Sequence, residues 1–374
     1  MNKNQLALAI VMGGLVGSTL GSAAAADRPR LKDAFQGEFV VGAALGEDQI
    51  LGDEPKSMAL VAEQFNTISP ENCLKWEAVH PELDRYDFDQ ADKYVEFGEQ
   101  HGMFIVGHTL VWHNQTPDWV FQDEAGKPLD REALLKRMRD HIQTVVGRYK
   151  GRIGGWDVVN EAVNEDGTMR QTKWLEIIGP DYLAKAYEYA HEADPDAELY
   201  YNDYNEWKPP MRETTAKLIR DLKAGGARID AIGMQGHWGF DYPALDEAEA
   251  SIVAFADAAG KVNITELDIA TVPDARAYRG QDISKDKELM QRLDPYRDGY
   301  PPEMQAKLAA RYRDIFTLLD KHADKIDRVT FWGVHDGQSW LNYWPVAGRH
   351  AYPLLFDAQL QPKPAFDAVI KTAQ

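Results

Sequence analysis

Two glutamates sit at the downstream ends of apolar runs, one in Trp156-Asp157-Val158-Val159-Asn160-Glu161 and one in Ile264-Thr265-Glu266-Leu267-Asp268. A single glutamate in such a place is usually an ion-pair partner. A pair of carboxyl groups facing each other over a cleft can do more. Kept protonated, one delivers a proton to a leaving oxygen. Kept ionised, the other attacks carbon or activates water. Cleavage of a glycosidic bond needs this division of labour. Asn160 beside the first glutamate, and the indoles spread through the neighbouring runs, suit a site that holds sugar rings.

Eight β-rich runs carry these groups: Phe39–Leu45, Phe65–Ser69, Phe104–Trp112, Gly155–Asn160, Glu198–Asn202, Ala231–Gln235, Val262–Leu267 and Arg328–Gly333. Helical patterns separate them, among them Arg131–Tyr149, Tyr182–Ala193, Met211–Ala224, Leu245–Ala259 and Met304–Lys321. Strand and helix in alternation predict a parallel α/β fold. Eight is the number of strands that closes a (β/α)8 TIM barrel, with polar groups at the C-terminal strand ends as the active face. An open doubly wound sheet is the alternative, but no glycine-rich phosphate loop follows the first run. In a barrel, runs four and seven stand across the mouth from each other. The longest irregular stretch, Ala270 to Pro302, follows run seven and would overhang that face.

The ordered motifs resemble glycoside hydrolase family 10, the xylanase family, over nearly the whole chain after its N-terminal segment. The carrying residues are Asn160-Glu161 on run four and Thr265-Glu266-Leu267-Asp268 on run seven. Glu71-Asn72-Cys73-Leu74-Lys75-Trp76-Glu77 resembles the family's strand-2 motif, and Gly107-His108-Thr109-Leu110-Val111-Trp112-His113-Asn114-Gln115 its strand-3 motif. Asn202-Asp203-Tyr204-Asn205, Gln235-Gly236-His237-Trp238 and Phe331-Trp332-Gly333 with Ser339-Trp340 match strands 5, 6 and 8.

The resemblance implies an endo-β-1,4-xylanase that retains anomeric configuration, with Glu161 as general acid/base and Glu266 as nucleophile. Their carboxyl groups are then expected about 5–5.5 Å apart. It implies that His237 hydrogen-bonds the nucleophile with Asp268 behind it, that Gln235 lies beside the nucleophile, and that Asn160 holds the sugar 2-hydroxyl. Glu71, Asn72 and Lys75 would grip the sugar on the non-reducing side. His108, Trp112 and Gln115 would surround the ring being cleaved, and Trp332 and Trp340 would wall it. Tyr204 and Asn205 would lie toward the leaving group. An indole wall over C5 would crowd the extra hydroxymethyl of glucose, which favours xylose by exclusion. Many relatives carry Thr where this chain has His335, and Cys73 fills a variable slot. The 270–302 loop and Gly348-Arg349-His350-Ala351-Tyr352 resemble only a subset of the family, which leaves substrate length and branch tolerance open. A cellulase or mannanase of the same barrel group, or a barrel that binds xylan without cutting it, are the alternatives.

Composition narrows the partners. Asp and Glu number 60 against 41 Lys and Arg, for a net charge of −19. Such a chain repels nucleic acid and anionic membrane surfaces and tolerates neutral sugars. Lys3, an apolar run from Leu6 to about Leu20 and the small residues Ala23 to Ala26 have the layout of a secretory signal peptide. Its removal would leave residues 27–374 as one catalytic domain, 348 residues long (374 minus 26), with a charge of −20 once Lys3 is gone. The expected destination is the bacterial periplasm or medium. Cys73 is the only cysteine, so no disulfide forms within the chain. No His-Glu-x-x-His or similar ligand spacing appears, so neither metal nor cofactor is expected. The partner expected is xylan or its oligosaccharides, met by a monomer.

Overall fold

The computed structural model describes residues 29–279 and 286–373. The leader expected at residues 1–26 lies outside them. Eight parallel strands form the centre: β1 (Val40–Leu45), β2 (Thr67–Pro70), β3 (Phe104–Val111), β4 (Gly155–Asn160), β5 (Glu198–Asp203), β6 (Ala231–Met234), β7 (Lys261–Ala270) and β8 (Ile326–Phe331). Each pairs with its neighbour, and β8 returns to β1 with Val329 opposite Val41. The sheet is therefore a closed (β/α)8 barrel, as the alternation of runs predicts. Closure leaves no sheet edge to protect. Both faces of every strand are covered, which is why the strands read as near-continuous apolar runs rather than as alternating ones; all six residues of β4 are buried.

The helices of the outer layer are set by local signals. Pro55, Pro209, Pro302 and Pro364 each open a helix, where a missing N–H costs nothing. Asp130 caps Arg131–Arg148 by accepting from the Ala133 N–H at 2.9 Å. The apolar faces of these helices join the strands in one continuous core. Among the described residues no helix is long and apolar enough to cross a membrane.

Two strand ends differ from the pattern-based expectation. β6 stops at Met234, and Gly236 then takes a positive φ of 79°. The chain resumes as a short strand, His237–Gly239, paired with Asp268–Ala270. β7 accordingly runs to Ala270, three residues past the Leu267 end expected from hydropathy. The break turns Gln235 and His237 toward the mouth. The 270–302 stretch is not structureless: it holds a 3-10 turn at Arg276–Tyr278 and a helix at Lys287–Leu293, capped by Asp286.

Close strand packing demands glycine at Gly107. It pairs with Trp156 across β3 and β4, and a β-carbon there would stand 2.1 Å from the Trp156 indole. Trp156 is fully buried and has nowhere to move. Gly107→Ala should therefore destabilise the barrel by about 1–3 kcal/mol through overpacking, read as a lower midpoint in urea with an unchanged slope.

Candidate active site

The C-terminal ends of the strands open into one cleft of about 790 Å³, and every candidate site residue singled out from the sequence lines it. The size suits a sugar chain rather than a small metabolite alone. Glu161 follows the last residue of β4, and Glu266 stands within β7, so both glutamates face the same space.

Glu266 is 5 % exposed. Burial works to raise its pKa. It is outweighed by His237 Nε2 at 3.1 Å, by the charge of His108 and by Asn202 Nδ2, which donates to Oε1 at 2.8 Å, so the group ends below the ordinary glutamate range. His237 is held from behind by Asp268, with Nδ1 and Oδ1 3.0 Å apart. Burial lowers the imidazole, but Asp268 and Glu266 together push it up to about 10, so it is a cation at neutral pH. Trp340 Nε1 donates to the other Asp268 oxygen at 2.7 Å, which ties the aromatic wall to the same chain of contacts.

Glu161 is treated in the opposite way. Burial raises its pKa; donation from Gln235 and from Trp112 opposes that, the Glu266 charge adds to it, and the net shift is upward. Trp112 Nε1 donates to Oε2 at 2.9 Å and Gln235 Nε2 to Oε1 at 3.1 Å. Two carboxyl groups in one cleft, pushed in opposite directions, are the pattern of an acid paired with a base or nucleophile.

The backbone at Glu161 is strained. Its φ is 59°, a left-handed conformation that costs a non-glycine residue about 1–3 kcal/mol. Gln115 (45°) and Asn205 (58°) share it, and both line the cleft. Strain persists only where surrounding contacts impose it. Here the Glu161 N–H donates to the Asn202 carbonyl at 2.9 Å, Ala162 N–H to the Tyr201 hydroxyl at 3.1 Å and Val163 N–H to Asp203 Oδ2 at 3.3 Å. Arg170 Nε donates to the Glu161 carbonyl at 2.9 Å.

The pattern of glycosyl hydrolase family 10 matches residues 30–372. The chain belongs to this family. It is 47% identical over 350 residues to endo-1,4-beta-xylanase A of Xylanibacter ruminicola, covering 94% of this chain and 95% of that protein. It is 42% identical over 344 residues to endo-1,4-beta-xylanase B of Paenibacillus barcinonensis, covering 91% and 98%. A family 10 endoxylanase from a sugarcane soil metagenome superposes with a TM-score of 0.88 at 45% identity, covering 93% of this chain and all of that one.

Within the family 10 barrel the remaining expected residues fall into place by strand. Lys75 donates to Gln115 Oε1 at 2.8 Å and to Asn72 Oδ1 at 3.1 Å, and its ammonium stands 4.8 Å from the Trp112 ring centroid. Burial pushes the adjacent Glu71 up to about 7 against the pull of Lys75. His108 Nδ1 lies 2.8 Å from Asp157 and the ring meets Trp332 edge-on. Asn160 Oδ1 accepts from Asn202 Nδ2 at 3.0 Å, and its amide nitrogen donates to Glu161 Oε1 at 3.4 Å. Tyr204 accepts from Arg170 at 3.2 Å, and Asn205 donates to Glu165 at 2.7 Å. Gln235 stands beside the nucleophile, as the resemblance implies. Gln235 meets the Glu266 N–H only through its backbone carbonyl, at 2.7 Å, while its amide turns to Glu161.

Sequence reasoning passed over Asn202, Tyr201, Asp203, Arg170 and the cleft-lining arginines of the later loops. Asn202 and Asp203 stood inside a quoted motif, and a polar pair ending an apolar strand was their signal. Tyr201 reads as ordinary core and gave none. Its hydroxyl accepts from Ala162 N–H and donates to Asp203 at 2.5 Å, so Tyr201→Phe orphans both. We expect kcat to fall about ten- to a hundredfold with little change in KM, because the Glu161 turn is displaced rather than the sugar contacts. Steady-state kinetics on a soluble xylo-oligosaccharide measures the split.

Proposed function

We propose that this chain is an endo-1,4-β-xylanase acting by retaining double displacement. The observation that carries the reading is the pair of glutamates lining one cleft of a family 10 barrel, Glu161 with its pKa raised and Glu266 with its pKa lowered. Glu266, ionised, attacks the anomeric carbon and forms a glycosyl-enzyme. Glu161, protonated, gives its proton to the leaving oxygen; as a carboxylate it then takes a proton from the water that releases the sugar. Asn160 holds the 2-hydroxyl of the ring. Trp332 and Trp340 supply apolar walls that favour a ring without a hydroxymethyl group. Glu71, Asn72 and Lys75 bind sugar on the non-reducing side, and Tyr204 and Asn205 face the leaving group. We propose that the chain acts as a monomer. We also propose export, with residues 1–26 removed. N-terminal sequencing of protein recovered from outside the cytoplasm tests that.

Product analysis tests the activity. The chain is expected to release xylo-oligosaccharides from plain xylan and nothing from carboxymethylcellulose, and Glu266→Ala is expected to release none from either. Cellulose cleavage alone would sink the substrate assignment. Glu161→Gln should lower kcat on xylan by about 10²–10⁴-fold.

The pKa directions set the pH profile. Activity needs Glu266 ionised and Glu161 protonated. The first is lowered, so the acid limb of kcat/KM should fall below the ordinary glutamate range; the second is raised, so the alkaline limb should lie above it. His237→Asn removes the donor that most lowers Glu266. Its pKa then rises, and the acid limb should move to higher pH while the alkaline limb stays. A profile that scales down without moving would show that His237 does not act through the charge of Glu266.

A further inference from the structure

We infer that the edge of the cleft formed by the loops after β7 and β8, at Arg276 and Arg279, reads a carboxylate carried on the sugar chain, so that the preferred substrate is a xylan bearing acidic branches. The inference rests on the reading of the cleft as a xylan site.

Charge distribution is the starting point. The chain as a whole carries 60 acidic and 41 basic residues. The cleft does not share that bias: Lys75, Arg170, Arg276, Arg279 and Arg349 all line it. Four of the five are arginines on the loops after β4, β7 and β8. Against these five bases stand five lining acids among the described residues, Glu71, Glu161, Glu266, Asp268 and Asp274, so the cleft is charge-balanced where the chain as a whole is strongly anionic. A neutral sugar backbone gives no reason for that enrichment in arginine.

The arginines are poorly neutralised. Arg276 alone has an ion pair among the described residues, with Asp274 at 2.8 Å. Arg170 and Arg349 are tied to backbone carbonyls and, for Arg170, to the Tyr204 hydroxyl, contacts that satisfy N–H groups without cancelling charge. Arg279 stands over the Trp344 ring at 5.7 Å, and Trp344 is stacked on Trp340 at 5.3 Å. A guanidinium laid on an indole keeps its flat fork free for a carboxylate. Trp344 is 37% exposed, an apolar surface against which a branch sugar can lie. Arg276 and Arg279 are exposed, so a branch pointing out of the cleft can reach them. Carboxylate recognition here would also overcome the repulsion that the overall charge imposes on an acidic polymer.

The experiment compares kcat/KM for a glucuronic-acid-substituted xylo-oligosaccharide, an arabinose-substituted one and linear xylohexaose. In the double variant Arg276→Gln/Arg279→Gln the ratio of acid-substituted to linear substrate should fall about fivefold or more, as expected for loss of exposed charge pairs, while the arabinose ratio holds. Asp274→Asn, which frees Arg276, should raise the acid ratio. Salt at about 0.5 M should lower it for the wild type. An acid ratio unmoved by the double variant, or an arabinose ratio that falls with it, would overturn the inference while linear xylohexaose is still cut. Failure of the wild type to cut linear xylohexaose would instead overturn the reading of the cleft beneath it.

Discussion

A carboxylate that is 5 % exposed keeps its charge only where other groups replace the water it has lost. Removing that water costs several kcal/mol for an ion of this size. At Glu266 the replacement comes from His237 and Asn202, with the His108 charge nearby. Neither direct donor is free to drift. His237 is fixed by Asp268, and Asp268 by the Trp340 indole. Asn202 Oδ1 accepts from the Thr265 hydroxyl at 2.6 Å, which aims its amide at Glu266. One negative charge therefore organises side chains from β5, β7, the break after β6 and the loop after β8. The break in β6 follows from this need, since a continuous strand would not turn His237 out to the mouth.

Glu161 shows what the same burial does without a cation. Its partners are neutral amides and an indole, which lower a carboxyl pKa less than a charged imidazole does. Burial and the Glu266 charge then win, and the Glu161 pKa ends above the ordinary glutamate range. The two carboxyl groups thus acquire different proton affinities from their neighbours, not from their chemistry. The strained backbone at Glu161 belongs to the same arrangement. Its left-handed turn is held by Tyr201 and Asp203, both buried, and by Arg170 at the cleft wall. Asp203 has its own cost: burial, and then Glu161, push it up to about 8. A site that stores strain and displaced protonation in this way must draw its stability from elsewhere, and the closed barrel supplies it.

Much of the barrel was legible in the chain because buried parallel strands are written as short apolar runs, and the polar burst ending each run marks the face where loops converge. Glu161, Glu266, His237 and Trp112 stood out for that reason. The β6 break was not legible, because hydropathy continues through Gln235 while the backbone does not. Tyr201 was hidden because a tyrosine in an apolar strand has the same appearance whether its hydroxyl is a structural clasp or incidental. The direction of the Gln235 amide was not legible either; past the strand end it points to Glu161, while its backbone carbonyl meets Glu266. Each miss is a matter of side-chain direction, which strand period alone does not carry past an irregularity.

The division between strands and loops bears on what a family 10 barrel can vary. Proton transfer and attack tolerate errors well under an ångström, so the groups that perform them stand on or directly after strands whose register is locked by a neighbour on each side. Recognition of a branch needs no such tolerance, because a charge acts over several ångströms and a long side chain can adjust. Arg276 and Arg279 accordingly stand on a loop, with one carboxylate and one indole as their supports. Branch recognition and bond cleavage are nevertheless joined by one chain of contacts: Arg279 stands over Trp344, Trp344 stacks on Trp340, and Trp340 donates to the Asp268 that holds His237 against Glu266. Arg276, whose ion-pair partner is Asp274, stands outside that chain, so substitution there changes the field at the edge of the cleft with least disturbance of Glu266.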